Sequence, residues 1–219
     1  MGVIQNTNTA YKYTNNYIIL IYMELTDYLI ESWCNKLILE GNVDQVPAQI
    51  IELINLSKNS KNAMEIGFNA GHSADMFLKN NPEMNLTSFD LGNHDYTLIG
   101  KEYIDKTFPG RHTLIIGDSR LSIPKYIKDH PDKKFDFIFI DGGHDYEVAK
   151  LDIENCKNLA MSDSILIIDD TMHNPEGICS SNIGPNKAVS ELIQSGLLVK
   201  MKAIDFCHGR GMTVGFYNI

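Results

Sequence analysis

Five places in this chain set a polar residue capable of chemistry directly behind a short apolar run. The first, Glu65-Ile66-Gly67-Phe68-Asn69-Ala70-Gly71-His72-Ser73, has glycines four apart, which permits a tight turn and close approach of a ligand. Ser73 falls where the next helical pattern begins, and the free backbone N–H groups of a helix start attract a carboxylate or phosphate. A packing turn is the alternative, because GxxxG is only part of the dinucleotide fingerprint. Roughly 20 residues further on, Ser88-Phe89-Asp90 offers a carboxylate that can accept hydrogen bonds from both hydroxyls of a ribose. Gly117-Asp118-Ser119 adds an acid and a hydroxyl suited to an adenine amino group, although Asp118 also suits the N-cap of the helix that follows.

The other two places carry more charge. Phe135-Asp136-Phe137-Ile138-Phe139-Ile140 leads into Asp141-Gly142-Gly143-His144, and Ile165-Leu166-Ile167-Ile168 leads into Asp169-Asp170. An apolar run that delivers an acid, two glycines and a histidine is hard to explain by packing alone. If the two runs are neighbouring strands, three carboxylates meet at their tips. That much like charge calls for a cation, with solvated acids at strand ends as the other reading.

These residues need strands to position them. Apolar runs at 63–68, 86–89, 113–116, 135–140 and 165–168 alternate with segments of helical period, which predicts parallel strands joined by crossover helices in a doubly wound sheet. Runs at 197–204 and 212–217 have only a turn-rich segment between them and predict an antiparallel hairpin at the sheet edge. In such a sheet ligands bind beyond the carboxyl ends of the strands, where strand order reverses. Ahead of the sheet, helical spacing from Thr26 to about Leu39 with Gly41 as a stop, then Pro47 at a helix start, predicts two helices. Residues 1–22 are Asn/Thr-rich and aperiodic and read as a polar tail or extension before a single domain at 23–219, divided into covering helices at 23–60 and a ligand-binding sheet at 61–219.

The chain has 219 residues, 43% of them hydrophobic, and a formal charge of −9, so it can build a substantial core and its average field repels nucleic acid and anionic lipid. The longest apolar run near the N-terminus, YIILIYM at 17–23, is far short of the roughly 20 residues that span a bilayer. No membrane segment or signal peptide is expected, and a cytoplasmic location follows. Cys34, Cys156, Cys179 and Cys207 form no CxxC pair, which excludes a zinc knuckle or dithiol redox motif.

Taken in order, EIGFNAGHS, SFDLG, GDS, FDFIFIDGGHDYE and LIIDD resemble the class I S-adenosylmethionine-dependent methyltransferases. Within that class the chain is similar to the small-molecule O-methyltransferase and cephalosporin-hydroxylase-like branch, including methyltransferase type 24, from about residue 63 to 217. The resemblance implies a Rossmann-like α/β fold: a doubly wound, mostly parallel seven-stranded sheet with an antiparallel C-terminal hairpin and N-terminal covering helices. It implies S-adenosylmethionine as cofactor, with Glu65, Gly67 and Gly71 in the cofactor loop and His72 and Ser73 beside the methionine carboxylate. Asp90 then takes the ribose, Asp118 and Ser119 the adenine, and Asp141 lies close to the methionine portion. In metal-dependent members the ion is held at the positions of Asp141, Asp169 and Asp170, and carboxylate oxygens suit Mg or Mn.

The chain departs from the catechol-type pattern after Asp141, where Gly142-Gly143-His144 stands in place of a lysine-bearing segment. His144 is therefore the candidate general base, with capping of the next helix as its bland alternative. His94, Tyr96 and His173 are candidates for an acceptor pocket, or are plain loop residues. The expected partner is a small-molecule hydroxyl acceptor, and a homodimer is plausible from the apolar N-terminal helices. The competing readings are an RNA methyltransferase, opposed by the acidic balance, a non-catalytic cofactor-binding or assembly module, and a nicotinamide dehydrogenase, opposed by the missing middle glycine.

Overall fold

The computed structural model describes residues 24–32, 39 and 46–219. The expectations for residues 1–22, and for Trp33, Cys34, Leu37, Ile38 and Gly41, lie outside the described residues. Helix α1 occupies 24–32, and α2 (Pro47–Ser57) opens on its proline, whose missing N–H is not needed in a first turn. The rest alternates as read: β1 (Asn62–Ile66), α3 (His72–Asn80), β2 (Asn85–Asp90), α4 (Asp95–Thr107), β3 (His112–Ile116), α5 (Ser119–Asp129), β4 (Phe135–Ile140), α6 (Tyr146–Cys156), β5 (Ala160–Ile168), α7 (Ser180–Gln194), β6 (Leu198–Asp205) and β7 (Gly211–Tyr217).

The strands form one seven-stranded sheet in the order β3-β2-β1-β4-β5-β7-β6. β1 to β5 are mutually parallel, and β7 runs antiparallel to both β5 and β6, as the turn-rich link between the last two runs predicts. Strand order reverses between β1 and β4. Alternate residues of the central strands face opposite ways, and each face is covered. Ala63, Phe137, Phe139 and Ile167 pack with Leu25, Leu29, Ile50, Leu53, Phe77 and Ile104 from α1 to α4. Met64, Ile66, Ile138, Ile140, Leu166 and Ile168 pack with Ile123, Ala149, Ile153, Ala188 and Leu192 from α5 to α7. Burial on both faces explains why these strands read as continuous apolar runs.

Two strand bounds differ from the sequence reading by more than one residue. β1 stops at Ile66 rather than Phe68 because Gly67 turns to φ +98°, a conformation that ends a strand. β5 begins five residues early, at Ala160: Met161, Ser162 and Asp163 are exposed, and Ser162 and Asp163 break the stretch so that it forms no apolar run. Pairing shifts register between Phe135 and Phe137 there, and Ser164 Oγ donates to the Phe135 carbonyl and accepts from Met161 N, at 2.6 Å each.

Register aligns the strand tips. Ile66 pairs with both Phe89 and Ile140, and Ile140 pairs with Ile168. The ladder continues one residue further: Gly67 N donates to Phe89 O at 2.8 Å, Asp141 N to Ile66 O at 2.9 Å and Asp169 N to Ile140 O at 2.9 Å. One row of backbone hydrogen bonds therefore fixes the starting points of the glycine loop and of both acidic tips.

Candidate active site

Beyond the tips of β1 to β4 lies a cleft of about 330 Å³, whose walls include Gly67, Asn69, Asp90, Ser119, Asp141 and Gly142. It sits at the reversal of strand order, and its volume lies within the range of small-molecule sites. The loop after β1 builds one wall. Gly67 (φ +98°), Asn69 (φ +52°) and Gly71 (φ +93°) all take left-handed backbone, and Gly71 is the N-cap of α3. The Asp90 carboxylate clamps this loop to the end of β2: Oδ2 accepts from Asn69 N and Oδ1 from Gly92 N, both at 2.7 Å. Each oxygen retains capacity for a further donor.

Asp118 serves as the N-cap that the sequence allows. Its Oδ1 accepts from Arg120 N at 3.0 Å and its carboxylate pairs with the Arg120 guanidinium, which holds it below the usual carboxylate range. Both Asp118 and Ser119 also line the cleft. Glu65, Gly71, His72 and Ser73, expected at the cofactor loop, lie behind the wall rather than on it. Glu65 is fully buried and accepts from Ser73 Oγ and Ser88 Oγ, both at 2.7 Å, while Ser88 Oγ also meets His112 Nε2 at 2.7 Å. This network ties β1 to α3, β2 and β3. Burial pushes His72 down to about 4 and His112 down to about 3, so both imidazoles are neutral at physiological pH.

Burial raises Glu65 from 4.5 to about 7, against the lowering effect of its two serine partners. The sign follows from linkage. Between its ordinary value and about 7 the folded chain keeps a proton that the unfolded chain has released, so stability falls as pH rises through that window. Burial raises Asp75, Asp141 and Asp152 in the same direction. Urea denaturation is expected to show less stability at pH 8 than at pH 5. Glu65→Gln, which keeps the shape, is expected to remove up to about 3 kcal/mol of that difference; equal slopes in the two proteins would assign the pH dependence to other groups.

The acids at β4 and β5 assemble differently from the sequence expectation. Among the described residues, Asp141, His144 and Asp170 each bring one ligand atom to within 4.8 Å of the others. Asp169 is not in that set. It is buried, and its two oxygens accept from Gln49 Nε2 of α2 at 2.8 and 2.7 Å, so it ties a covering helix to the sheet. His144 Nε2 lies 2.7 Å from Asp170 Oδ2, and Arg210 Nη1 lies 3.6 Å from Asp170 Oδ1. The hydrogen bond to Asp170 raises His144 above the usual imidazole value. Burial and the Asp170 charge raise Asp141 to about 7. Asp170 is itself buried and sits at φ +53°, an uncommon conformation for a residue with a side chain and one that concentrates at functional sites.

Sequence reading missed Gln49, Asn69 and Arg210. Gln49 and Arg210 come from distant segments, and no local pattern marks either. Of the proposed acceptor residues, His94 lines the cleft and stacks on Tyr96, with ring centroids 4.8 Å apart, while Tyr96 is buried. His173 is not on the cleft; its backbone N donates to Asp205 Oδ1 at 2.9 Å and its ring meets the same oxygen at 3.3 Å. No helix among the described residues is long and apolar enough to cross a membrane.

Residues 64–171 match a family model described as a methyltransferase domain, that of methyltransferase type 24. No curated protein matches the chain. Among solved structures, an O-methyltransferase from Bacillus cereus in complex with SAH aligns with a TM-score of 0.68 at 16% identity, over 87% of this chain and 89% of that one. An SAH-bound methyltransferase from Podospora anserina aligns with a TM-score of 0.64 at 14% identity, over the whole of both chains. Fibrillarin from Aeropyrum pernix aligns at 0.58 and 12% identity, over 74% of this chain and 68% of that one. These identities speak to the fold, and the family match speaks to the segment from β1 to the tip of β5 that builds the site. The segment that builds the site, residues 64–171, is thus a methyltransferase domain of the type 24 family, and the chain as a whole has the fold of the methyltransferases it aligns with.

Proposed function

We propose that this chain transfers the methyl group of S-adenosylmethionine to a hydroxyl of a small molecule. The observation that carries this reading is the His144–Asp170 pair beside Asp141 at the edge of the cleft, where a base and a concentration of negative charge meet. The cofactor supplies an electrophilic methyl on a sulfonium centre, and the carboxylates around Asp141 favour that cation. Asp90 is suited to the ribose hydroxyls and Ser119 with Asp118 to the adenine. The part of the glycine loop that lines the cleft, Gly67 with Asn69, is suited to lie against the methionine portion. Methyl transfer is an in-line displacement, so the chain has to orient the acceptor oxygen opposite sulfur and take its proton. His144, about half exposed and held through Nε2 by Asp170, is the group suited to take it. The net charge of −9 favours a small acceptor over RNA.

A divalent cation is the second reading, favoured by the Asp141, His144 and Asp170 cluster. Asp169, the third acid that the family resemblance implies, accepts from Gln49 Nε2 instead of joining that cluster. Two carboxylates and an imidazole suit Mn better than Mg; a cation bound there would lower the pKa of an acceptor hydroxyl.

Calorimetry with S-adenosylmethionine and with NAD tests the cofactor, with binding of the first alone expected. Incubating the protein with a metabolite extract and methyl-labelled cofactor, then finding by mass spectrometry which species carry the label, identifies the acceptor. Absence of S-adenosylmethionine binding up to millimolar concentration would overturn the proposal.

A further inference from the structure

Asn182, the third residue of α7, is fully buried, and the mechanism above does not use it. Its amide joins two loops to the helix. Nδ2 donates to Asp170 O at 3.1 Å and to Gly209 O at 3.2 Å, while Oδ1 accepts from Cys179 N at 2.9 Å and from the Cys179 thiol at 3.1 Å. Both donors and both acceptor positions are thus filled, and only one orientation of the amide fits them.

The two carbonyls belong to left-handed backbone, at φ +53° for Asp170 and φ +71° for Gly209. A residue with a side chain holds such a conformation where its surroundings fix it. At Asp170 O the fixing donor is Asn182. The side chains that leave these two turns meet at the site: Asp170 Oδ1 lies 3.6 Å from Arg210 Nη1, and Asp170 Oδ2 lies 2.7 Å from His144 Nε2. His144 is held from the same helix. A Cβ at Gly184 would lie 2.1 Å from His144 O and 2.7 Å from Tyr146 N, so α7 rests directly on the loop that carries the imidazole. The first turns of α7 therefore set the backbone on both sides of the His144–Asp170 bond. Asn182 itself lines no part of the cleft.

We propose that Asn182 is a positioning residue for proton removal: by holding Asp170 O and Gly209 O together it keeps the Asp170 carboxylate aimed at His144 Nε2, with no part in cofactor binding. The inference rests on the methyl-transfer reading above, in which His144 is the base.

Two measurements on the full chain test it. The first is the rate of label transfer from methyl-labelled S-adenosylmethionine into the metabolite extract, beside calorimetry with S-adenosylhomocysteine. Asn182→Ala is expected to lower the rate about 10- to 100-fold and to leave the affinity for S-adenosylhomocysteine unchanged. In an Asp170→Asn background the same replacement is expected to cost less than about threefold further, because the carboxylate it aims is already gone. Asn182→Asp keeps the shape and the oxygen that faces Cys179 N, and an acid suits the first turn of a helix. It is the variant to use if the alanine variant does not fold, with the same losses expected.

The second measurement needs no acceptor. The ring-proton NMR signals of His144, identified by their absence in His144→Gln, are expected to shift in both Asn182 variants and to stay in place in Asn186→Ala. That control removes a donor to Met172 O from α7, one turn beyond Asn182. A matching loss of S-adenosylhomocysteine affinity, or a rate loss that adds in full to that of Asp170→Asn, would overturn the inference while the cofactor reading stands. So would His144 signals that stay unmoved in the Asn182 variants or move equally in Asn186→Ala. Failure of the wild-type chain to bind S-adenosylhomocysteine would overturn the methyl-transfer reading and the role in proton removal with it, whereas the His144 signals would still decide whether Asn182 aims Asp170.

Discussion

Replacing His144 with alanine is expected to lower kcat by ~10²- to 10⁴-fold while leaving affinity for S-adenosylmethionine essentially unchanged. The expected split between rate and affinity follows from where His144 sits. It does not line the cleft, it is about half exposed, and it touches Asp170 rather than the glycine loop. Asp170 raises its pKa through the hydrogen bond to Nε2. A base must be unprotonated to act, so kcat is expected to rise with pH along a limb above the ordinary imidazole value of about 6.5. Asp170→Asn removes the charge that stabilises the imidazolium, and the limb is expected to move to lower pH as the maximal rate falls. Equal turnover by wild type and His144→Ala would exclude His144 as the base. Chelator treatment separates the two mechanisms: direct proton removal predicts an unchanged wild-type rate, and a rate lost to chelator and restored by Mn would establish the cation reading in its place.

Gly67→Ala is expected to be the most damaging single methyl addition for stability. The new Cβ would lie 1.9 Å from the Asp141 carbonyl oxygen and 2.8 Å from its carbon, and the residue would have to keep φ +98°. Neither neighbour can give way easily, because Gly67 N and Asp141 N are both bonded in the row of strand-tip hydrogen bonds. Backbone strain at such a position together with overpacking costs about 3 kcal/mol or more, which for a chain of this size lowers Tm by roughly 6–12 °C. Whatever folds is expected to bind cofactor weakly, since relief of the clash moves Asp141 and the glycine loop apart. Gly110→Ala is the control: it also has positive φ, at +76°, but a Cβ there meets nothing within 4 Å. Its cost is expected to be about 1 kcal/mol, from the left-handed backbone alone. Comparable Tm losses in the two variants would show that backbone conformation, rather than the approach to Asp141, is what requires glycine at 67.

Much of the fold was legible because the central strands are buried on both faces. Met64, Ile66, Ile138 and Ile140 face one helical layer and Ala63, Phe137 and Phe139 the other, so runs such as FDFIFI stand out against the helical segments between them. The first half of β5 was not legible. Its side chains at 161–163 are exposed, and Ser162 and Asp163 are polar, while backbone pairing there depends on a register shift that leaves no trace in residue type. Glu65 was drawn into the cofactor loop by its place in the motif. Its burial under Ser73 and Ser88 makes it a brace for that loop instead.

By itself the sequence determined which chemical groups stand at the strand tips, because strand runs end where apolar residues give way to Gly67, Asp90, Asp118, Asp141 and Asp169-Asp170. Tertiary structure decided which of those groups meet. Asp169 and Asp170 are adjacent in the chain, yet the left-handed backbone at Asp170 and the bond from Gln49, 120 residues away, send them to different partners. Asp170 joins His144, Asp141 and Arg210, while Asp169 anchors α2. Spacing along a chain specifies the order in which groups arrive at a sheet edge. Side-chain pairing across that edge depends on backbone turns and long-range donors, which only the folded chain brings together.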